Sequence, residues 1–277
     1  MVELDPFVLR RAMWLRHVRW LTSAELGDLA LLAENLSEVR FAAGELVSAV
    51  GVTPPAIHFV IDGELGIDGR RWGPGGVVGV LEVFADRPLA HSLLAIKETR
   101  TLQLTAADVI EILEDNFAMM RAALRGFADG MPAPPPFAIL PPLGDPLGFV
   151  ERLTLLRDQP TFAGARLDAL AELANASQEV RFAAGSPLVR LGDPAVSSFV
   201  IVDGSLIGPQ GVLGPGHTIG GLEMLAERPY RATIEARTAV RALESSASAI
   251  FDVLEDHTDL GMAMLASFAS TMADLHA

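Results

Sequence analysis

The sequence predicts two tandem copies of one mainly β module, a closed barrel or sandwich of short strands with helices at either end. Three observations lead there. Residues Glu38 to Gly44 (EVRFAAG) recur letter for letter as Glu179 to Gly185, and the same offset holds without a gap for most of the chain. At that offset Asp62-Gly63 returns as Asp203-Gly204, Gly73-Pro74-Gly75 as Gly214-Pro215-Gly216, and Arg87-Pro88 as Arg228-Pro229. Glycines and prolines mark turns and bulges while apolar residues mark the core, so keeping both in register means that each copy folds alike. Finally, brief apolar runs separated by regular turn residues fill the middle of each copy, while helical spacing is confined to its ends.

Each copy opens with a helix. Thr22-Ser23-Ala24-Glu25 has the spacing of a capping box, and Leu26, Leu29, Leu32, Ala33 and Leu36 follow at helical intervals, answered by Leu167, Leu170, Leu173 and Ala174. From Val39 the pattern turns to strands. Ile57 to Ile61 and its partner Ser198 to Val202 are each closed by Asp-Gly, a hairpin signal. Helical spacing resumes near Ala106 and Ala247, with Val109, Ile112 and Leu113 answered by Ile250, Val253 and Leu254, and breaks at Asp115-Asn116 and Asp256-His257 before a second segment. Between the copies, Asp129 to Gly148 holds seven of the chain's 18 prolines and reads as a semi-rigid, polyproline-like spacer, neither helix nor central strand. Two readings of it stay open, a plain tether and an arm docked through Phe137, Ile139 and Leu140. The expected domains are 1–128 and 149–277, with 129–148 as the linker.

Composition removes whole classes of function. A chain of 277 residues that is 50% hydrophobic can bury a core in each copy without a staple. With Cys 0 there is no thiol catalysis, thiolate metal site or disulfide, which fits a reducing cytoplasm. The N-terminus has no basic start followed by an apolar run, and no window holds eighteen uninterrupted apolar residues, so a soluble, unexported, cytoplasmic protein is expected. A formal charge of -14 repels phosphate backbones and anionic lipid, so neither nucleic acid nor a membrane is expected as a partner. The histidines, at 17, 58, 91, 217, 257 and 276, form no His-x-His pair, and no metal is expected. No Ser-His-Asp order, nucleophile elbow or P-loop occurs, so an enzyme would lack both nucleophile and cradle.

The order of leading helix, RFAAG turn, strand ending in Asp-Gly, Gly-Pro-Gly turn, short helix entered from a glycine, Arg-Pro and trailing helices resembles the cyclic nucleotide-binding domain, over about 8–128 and 149–270. The resemblance implies two eight-stranded jelly rolls with N- and C-terminal helices. It also implies a phosphate-binding cassette in each, usually Phe-Gly-Glu-Leu-Ala-Leu-Leu followed after a few residues by Pro-Arg-Ala/Ser-Ala-Thr. There the amides at the short helix's start meet the cyclic phosphate, the glutamate takes the ribose 2′-hydroxyl, and the arginine pairs with the phosphate.

Both cassettes depart from that pattern at the two charged positions. Counted from the Arg-Pro, Val80 and Leu89 stand for the glutamate and arginine in the first copy, and Gly221 and Tyr230 in the second. Losing two bonds to charged groups forfeits roughly 3–6 kcal/mol, which carries a micromolar site towards millimolar. Candidate ligand contacts in the second copy are Gly220, Gly221, Leu222, Glu223, Arg231, Ala232 and Thr233; the weaker set in the first is Gly79, Val80, Leu81, Glu82, His91 and Ser92. Glu82 and Glu223 lie two residues past the family's glutamate and are expected to be structural, pairing with Arg87 and Arg228 or with a neighbouring strand. Arg231 lies one past the family's arginine; in a strand it faces away from the pocket, unless a bulge returns it.

The expected function is thus regulatory and non-enzymatic, with no cofactor: a signalling adaptor that binds a protein partner through two degenerate cyclic nucleotide-binding folds. The alternative is a cyclic AMP or cyclic GMP sensor that holds its ligand in the second copy. No helix-turn-helix or basic pseudosubstrate is read in the chain, so neither DNA-binding regulation nor kinase inhibition of that type is expected. Candidate contact surfaces are the N-terminal helix, with Trp14 and Trp20 and the basic Arg10, Arg11, Arg16 and Arg19, and the tail with Met262, Met264 and Met272. Packing of the same residues against their own barrels is the other reading of both.

Overall fold

The computed structural model describes residues 5–16, 18, 21–139 and 143–276. The first copy begins with helices α1 (Pro6–Leu15) and α2 (Leu26–Glu34), which pack on one another. Asp5 caps α1 by accepting the Phe7 N–H at 2.7 Å. The capping box expected at Thr22 to Glu25 does not form. A turn closed by the Ala24 N–H on the Leu21 carbonyl keeps these residues out of the helix, and Glu25 precedes α2 with no side-chain cap. Arg11 reaches the other end of α2, donating to the Leu36 carbonyl at 2.5 Å, and its repeat partner Arg152 donates to the Ser177 carbonyl at 2.7 Å. Arg11 therefore closes its own helix pair, and Trp14 meets Phe59 edge-on at 5.8 Å, so both serve the core. Arg19 and Trp20 lie outside the described residues.

The first barrel follows as β1 (Ser37–Phe41), β2 (Leu46–Ser48), β3 (Ala56–Asp62), β4 (Leu65–Ile67), β5 (Arg70–Trp72), β6 (Val77–Val78), the short helix α3 (Val80–Ala85), β7 (Leu93–Ala95) and β8 (Thr99–Thr105). Its strands form two antiparallel sheets ordered β1-β8-β3-β6 and β2-β7-β4-β5, the jelly-roll arrangement. Strand β3 is buried on both faces because one side fills the barrel and the other meets the helices. Val60 joins Leu65, Val78, Leu89, Leu93 and Ala95 in the barrel core. Helices α4 (Ala106–Asp115) and α5 (Phe117–Gly130) come next; Thr105 caps α4 by accepting the Asp108 N–H.

The second copy repeats this order. Helices α6 (Phe149–Arg157) and α7 (Leu167–Ala176) lead into β9 (Gln178–Phe182), β10 (Pro187–Val189), β11 (Ser197–Asp203), β12 (Leu206–Gly208), β13 (Gly211–Leu213), β14 (Thr218–Ile219), α8 (Gly221–Leu225), β15 (Ile234–Ala236) and β16 (Val240–Ser246). The sheets are ordered β14-β11-β16-β9 and β10-β15-β12-β13, around a core that includes Phe199, Ile201, Leu206, Tyr230 and Ile234. Helices α9 (Ala247–Asp256) and α10 (Thr258–His276) end it, with Met264 buried and Met262 and Met272 half-buried.

The Asp-Gly pairs are not hairpins. Strand β3 lies in one sheet and β4 in the other, so Asp62-Gly63 carries the chain between sheets, as Asp203-Gly204 does in the second copy. Each aspartate accepts the following glycine N–H, and each glycine has positive φ with the backbone of the neighbouring strand end where a Cβ would stand. In the first copy the tight hairpin falls at Asp68-Gly69, between β4 and β5, where both residues have positive φ as a type I′ turn requires.

By contacts the chain divides into a unit of 1–126 with 268–277 and a unit of 127–267. Helix α5 runs two residues into the predicted spacer and stops where Pro132 bars the α conformation for the residue before it. The segment beyond is docked on the second barrel: the Phe137 N–H donates to the Gly216 carbonyl at 3.1 Å, and Phe137 half-buries its ring.

Candidate functional site

In the second barrel a cavity of about 340 Å³ opens beside α8. Gly220 precedes that helix with φ +82, and a Cβ there would stand 2.7 Å from the Tyr230 ring and 2.9 Å from the Ser197 carbonyl. Only glycine fits such a conformation at so close an approach. Tyr230 is 7% exposed and donates its hydroxyl to the Ser197 carbonyl at 2.8 Å; burial raises the phenol's pKa. The ring thus occupies the place of the family's arginine and is part of the barrel core. Gly220, Gly221, Leu222, Glu223, Arg231 and Ala232 all line the cavity, while Thr233 does not; its hydroxyl accepts the Leu191 N–H at 3.0 Å.

Arg231 sits in a bend, not in a strand, so the alternation that would turn it outward does not operate. An isolated bridge between Pro194 and Pro229 ends the pairing just before it. Its guanidinium lies 3.4 Å from Asp129, whose same oxygen is 2.5 Å from Arg228. Glu223 makes no side-chain pair with Arg228; the link between the two is the Arg228 N–H donating to the Glu223 carbonyl at 2.9 Å. Met131, Ala133 and Pro134 of the proline-rich segment complete the cavity wall.

The first barrel holds a cavity of about 420 Å³ lined by Gly79, Val80, Leu81, Glu82 and His91, with Ser92 turned away to accept the Val50 N–H at 3.1 Å. Leu89, 4% exposed and part of the core, fills the arginine's place. Arg87 again leaves its glutamate: it pairs with Asp274 at 2.6 Å, and only its backbone N–H meets the Glu82 carbonyl. His91 lies 3.5 Å from Asp68 at the cavity mouth. Residues that the sequence reading missed include Asp129, Asp274 and Trp72, the last lining the first cavity. Register gives the signal for Trp72: it pairs across from Leu65, a core residue, and so faces inward.

Residues 179–257 match the family model of the cyclic nucleotide-binding domain. The second barrel is a cyclic nucleotide-binding domain. The first repeats it at constant offset, strand for strand, and has the same fold. No curated protein sequence matches the chain. Among solved structures, the cAMP-bound regulatory domain of Toxoplasma gondii PKA is 18% identical over 93% of this chain and 98% of its own, with a TM-score of 0.39. The regulatory subunit of a cAMP-independent protein kinase A from Trypanosoma brucei is 18% identical over 94% of this chain and 91% of its own, with a TM-score of 0.37. The N-terminal domain of a Streptomyces coelicolor A3(2) transcriptional regulator is 28% identical over 44% of this chain and 94% of its own, with a TM-score of 0.40. At these scores nothing of those proteins' ligands carries over to the two domains. Among the described residues no His, Asp and Glu cluster could hold a metal ion, and no helix is long and apolar enough to cross a membrane.

Proposed function

We propose that the chain is a non-enzymatic regulatory adaptor whose two cyclic nucleotide-binding folds act by contacting a protein partner. The observation that carries this reading is shared by both cassettes: the position of the phosphate-pairing arginine is a side chain buried in the barrel core, Leu89 in one and Tyr230 in the other. A guanidinium cannot enter either place without removing core volume, and an unpaired cyclic phosphate against a leucine or a tyrosine ring would be desolvated without compensation. Calorimetric titration of the purified chain with cyclic AMP and cyclic GMP tests this. No heat up to millimolar ligand is expected; one micromolar site per chain would overturn the reading.

A second reading, a sensor in the second domain, is favoured by one observation: Glu223 and Arg231 line the same cavity as the glycine-entered helix. It requires that Arg231→Ala abolish cyclic nucleotide binding. A cyclic nucleotide affinity untouched by that substitution would mean that the ligand site is placed wrongly.

A further inference from the structure

We propose that Arg228 and Arg231 form an anion site on the rim of the second cavity, filled in this structure by Asp129, and that a small organic phosphate monoester takes Asp129's place. Two guanidinium groups converge on a single carboxylate oxygen, at 2.5 Å from Arg228 and 3.4 Å from Arg231. One carboxylate brings one negative charge to two cations, whereas a phosphate monoester brings nearly two at neutral pH and three acceptor oxygens suited to guanidinium forks. The cassette's own phosphate place is closed by the Tyr230 ring, so this site lies outward of it and does not depend on the family's arginine.

Arg231 lines the same cavity as Phe162, Val189 and Ile234, apolar side chains that suit an organic body. Glu223, which also lines it, repels an anion and weakens the site without closing it. The first domain offers no equivalent: Ala90 stands where the second has Arg231, and Arg87 alone faces Asp274. Asp129, near the end of α5, is an intramolecular competitor already held against both guanidinium groups. Its removal therefore strengthens the binding of an added dianion, a sign opposite to that of most substitutions in a site. Asp129 is followed directly by the segment that supplies Met131 and Pro134 to the cavity, so displacing it also frees that segment's first anchor.

The test is calorimetric titration of the full chain with phenyl phosphate at pH 7.5, with benzyl alcohol as the uncharged control. Asp129→Asn is expected to tighten phenyl phosphate about tenfold over the unaltered chain, and Arg231→Gln, alone or in the Asp129→Asn background, to weaken it by a similar factor. Benzyl alcohol gives no heat. Binding that Asp129→Asn leaves unchanged or weakens, or that Arg231→Gln leaves unchanged, overturns the proposal, as does the absence of phenyl phosphate binding to either chain. Melting curves establish that each variant is folded, and if Asp129→Asn is not, the Arg231→Gln comparison decides alone. Cyclic AMP, a monoanion in its phosphodiester, is titrated separately, so failure here is distinct from failure of the adaptor reading.

Discussion

The two barrels share every strand and nearly every turn but fill their interiors differently. Where the second copy places Phe199 against Phe182 at 5.9 Å, the first places His58 against Phe41 at 5.6 Å, bonded to Thr101 at 3.2 Å. Thr101 stands where the second copy has Ala242. At the cassette, Leu89 answers Tyr230. The fold therefore tolerates either an all-apolar filling or a polar pair, provided that the pair satisfies itself, because the strand ladder and turn glycines set the backbone and the interior has only to be filled and bonded. In both copies the volume at the arginine's place is committed to the core.

The largest effects should come from emptying that place. Tyr230→Ala removes a buried ring and orphans the Ser197 carbonyl, and should cost about 3–5 kcal/mol by urea unfolding; Leu89→Ala should cost about 2–4 kcal/mol. A loss below about 1 kcal/mol at both positions would show that neither is a core residue.

The second effect separates the barrels by pH. Burial lowers the pKa of His58 to about 4, so the folded first barrel binds fewer protons there than the unfolded chain between pH 4 and 6.5. Stability accordingly rises with pH through that window and its contribution is lost as pH falls, by about 3 kcal/mol in all. His58→Phe, which copies Phe199, should abolish this slope and leave the second barrel's unfolding unchanged. A slope that survives the substitution would assign it to other groups.

A smaller effect is expected on the opposite side of the comparison. Glu179 accepts from Arg241 at 3.1 Å and from the Leu147 N–H at 2.8 Å, holding the residues before α6 to the second barrel, whereas its repeat partner Glu38 makes looser contacts with Arg40 at 3.3 Å and Arg100 at 3.6 Å. These bonds outweigh desolvation and lower the Glu179 pKa to about 2. Its contribution is present above the ordinary carboxylate pKa and lost as pH falls from about 4.5 towards 2. Glu179→Gln should cost about 2 kcal/mol at neutral pH and Glu38→Gln under 1 kcal/mol. Smallest of all is Asp274→Asn: the pair with Arg87 is exposed, and its loss should shift stability by less than about 1 kcal/mol. Equal losses for Glu179 and Glu38 would erase the difference drawn here.

Much of the fold was legible because repetition makes each residue a control for its partner. EVRFAAG, Gly-Pro-Gly and the glycine before each short helix kept strand boundaries and turns in register, and both cassettes could be aligned without a structure. What was not legible depended on pairing across sequence distance. Asp62-Gly63 has hairpin chemistry, yet its neighbours belong to different sheets, which no local window encodes. A strand's alternation would turn Arg231 away from the pocket unless a bulge returned it, but the strand begins only at Ile234 and neither case arises. Nothing local in the sequence marks Asp129 or Asp274 as paired, because their arginine partners lie about a hundred or more residues away in sequence. The role of Arg11 was available in principle, since Arg152 holds the same place in the second copy.

The central claim is that both cassettes are filled by their own cores, and urea unfolding of the unaltered chain with and without 1 mM cyclic AMP tests it most directly. A ligand bound at about 1 μM would stabilise the native state by about 4 kcal/mol at that concentration. The account predicts coincident curves; a shift of that size would contradict it.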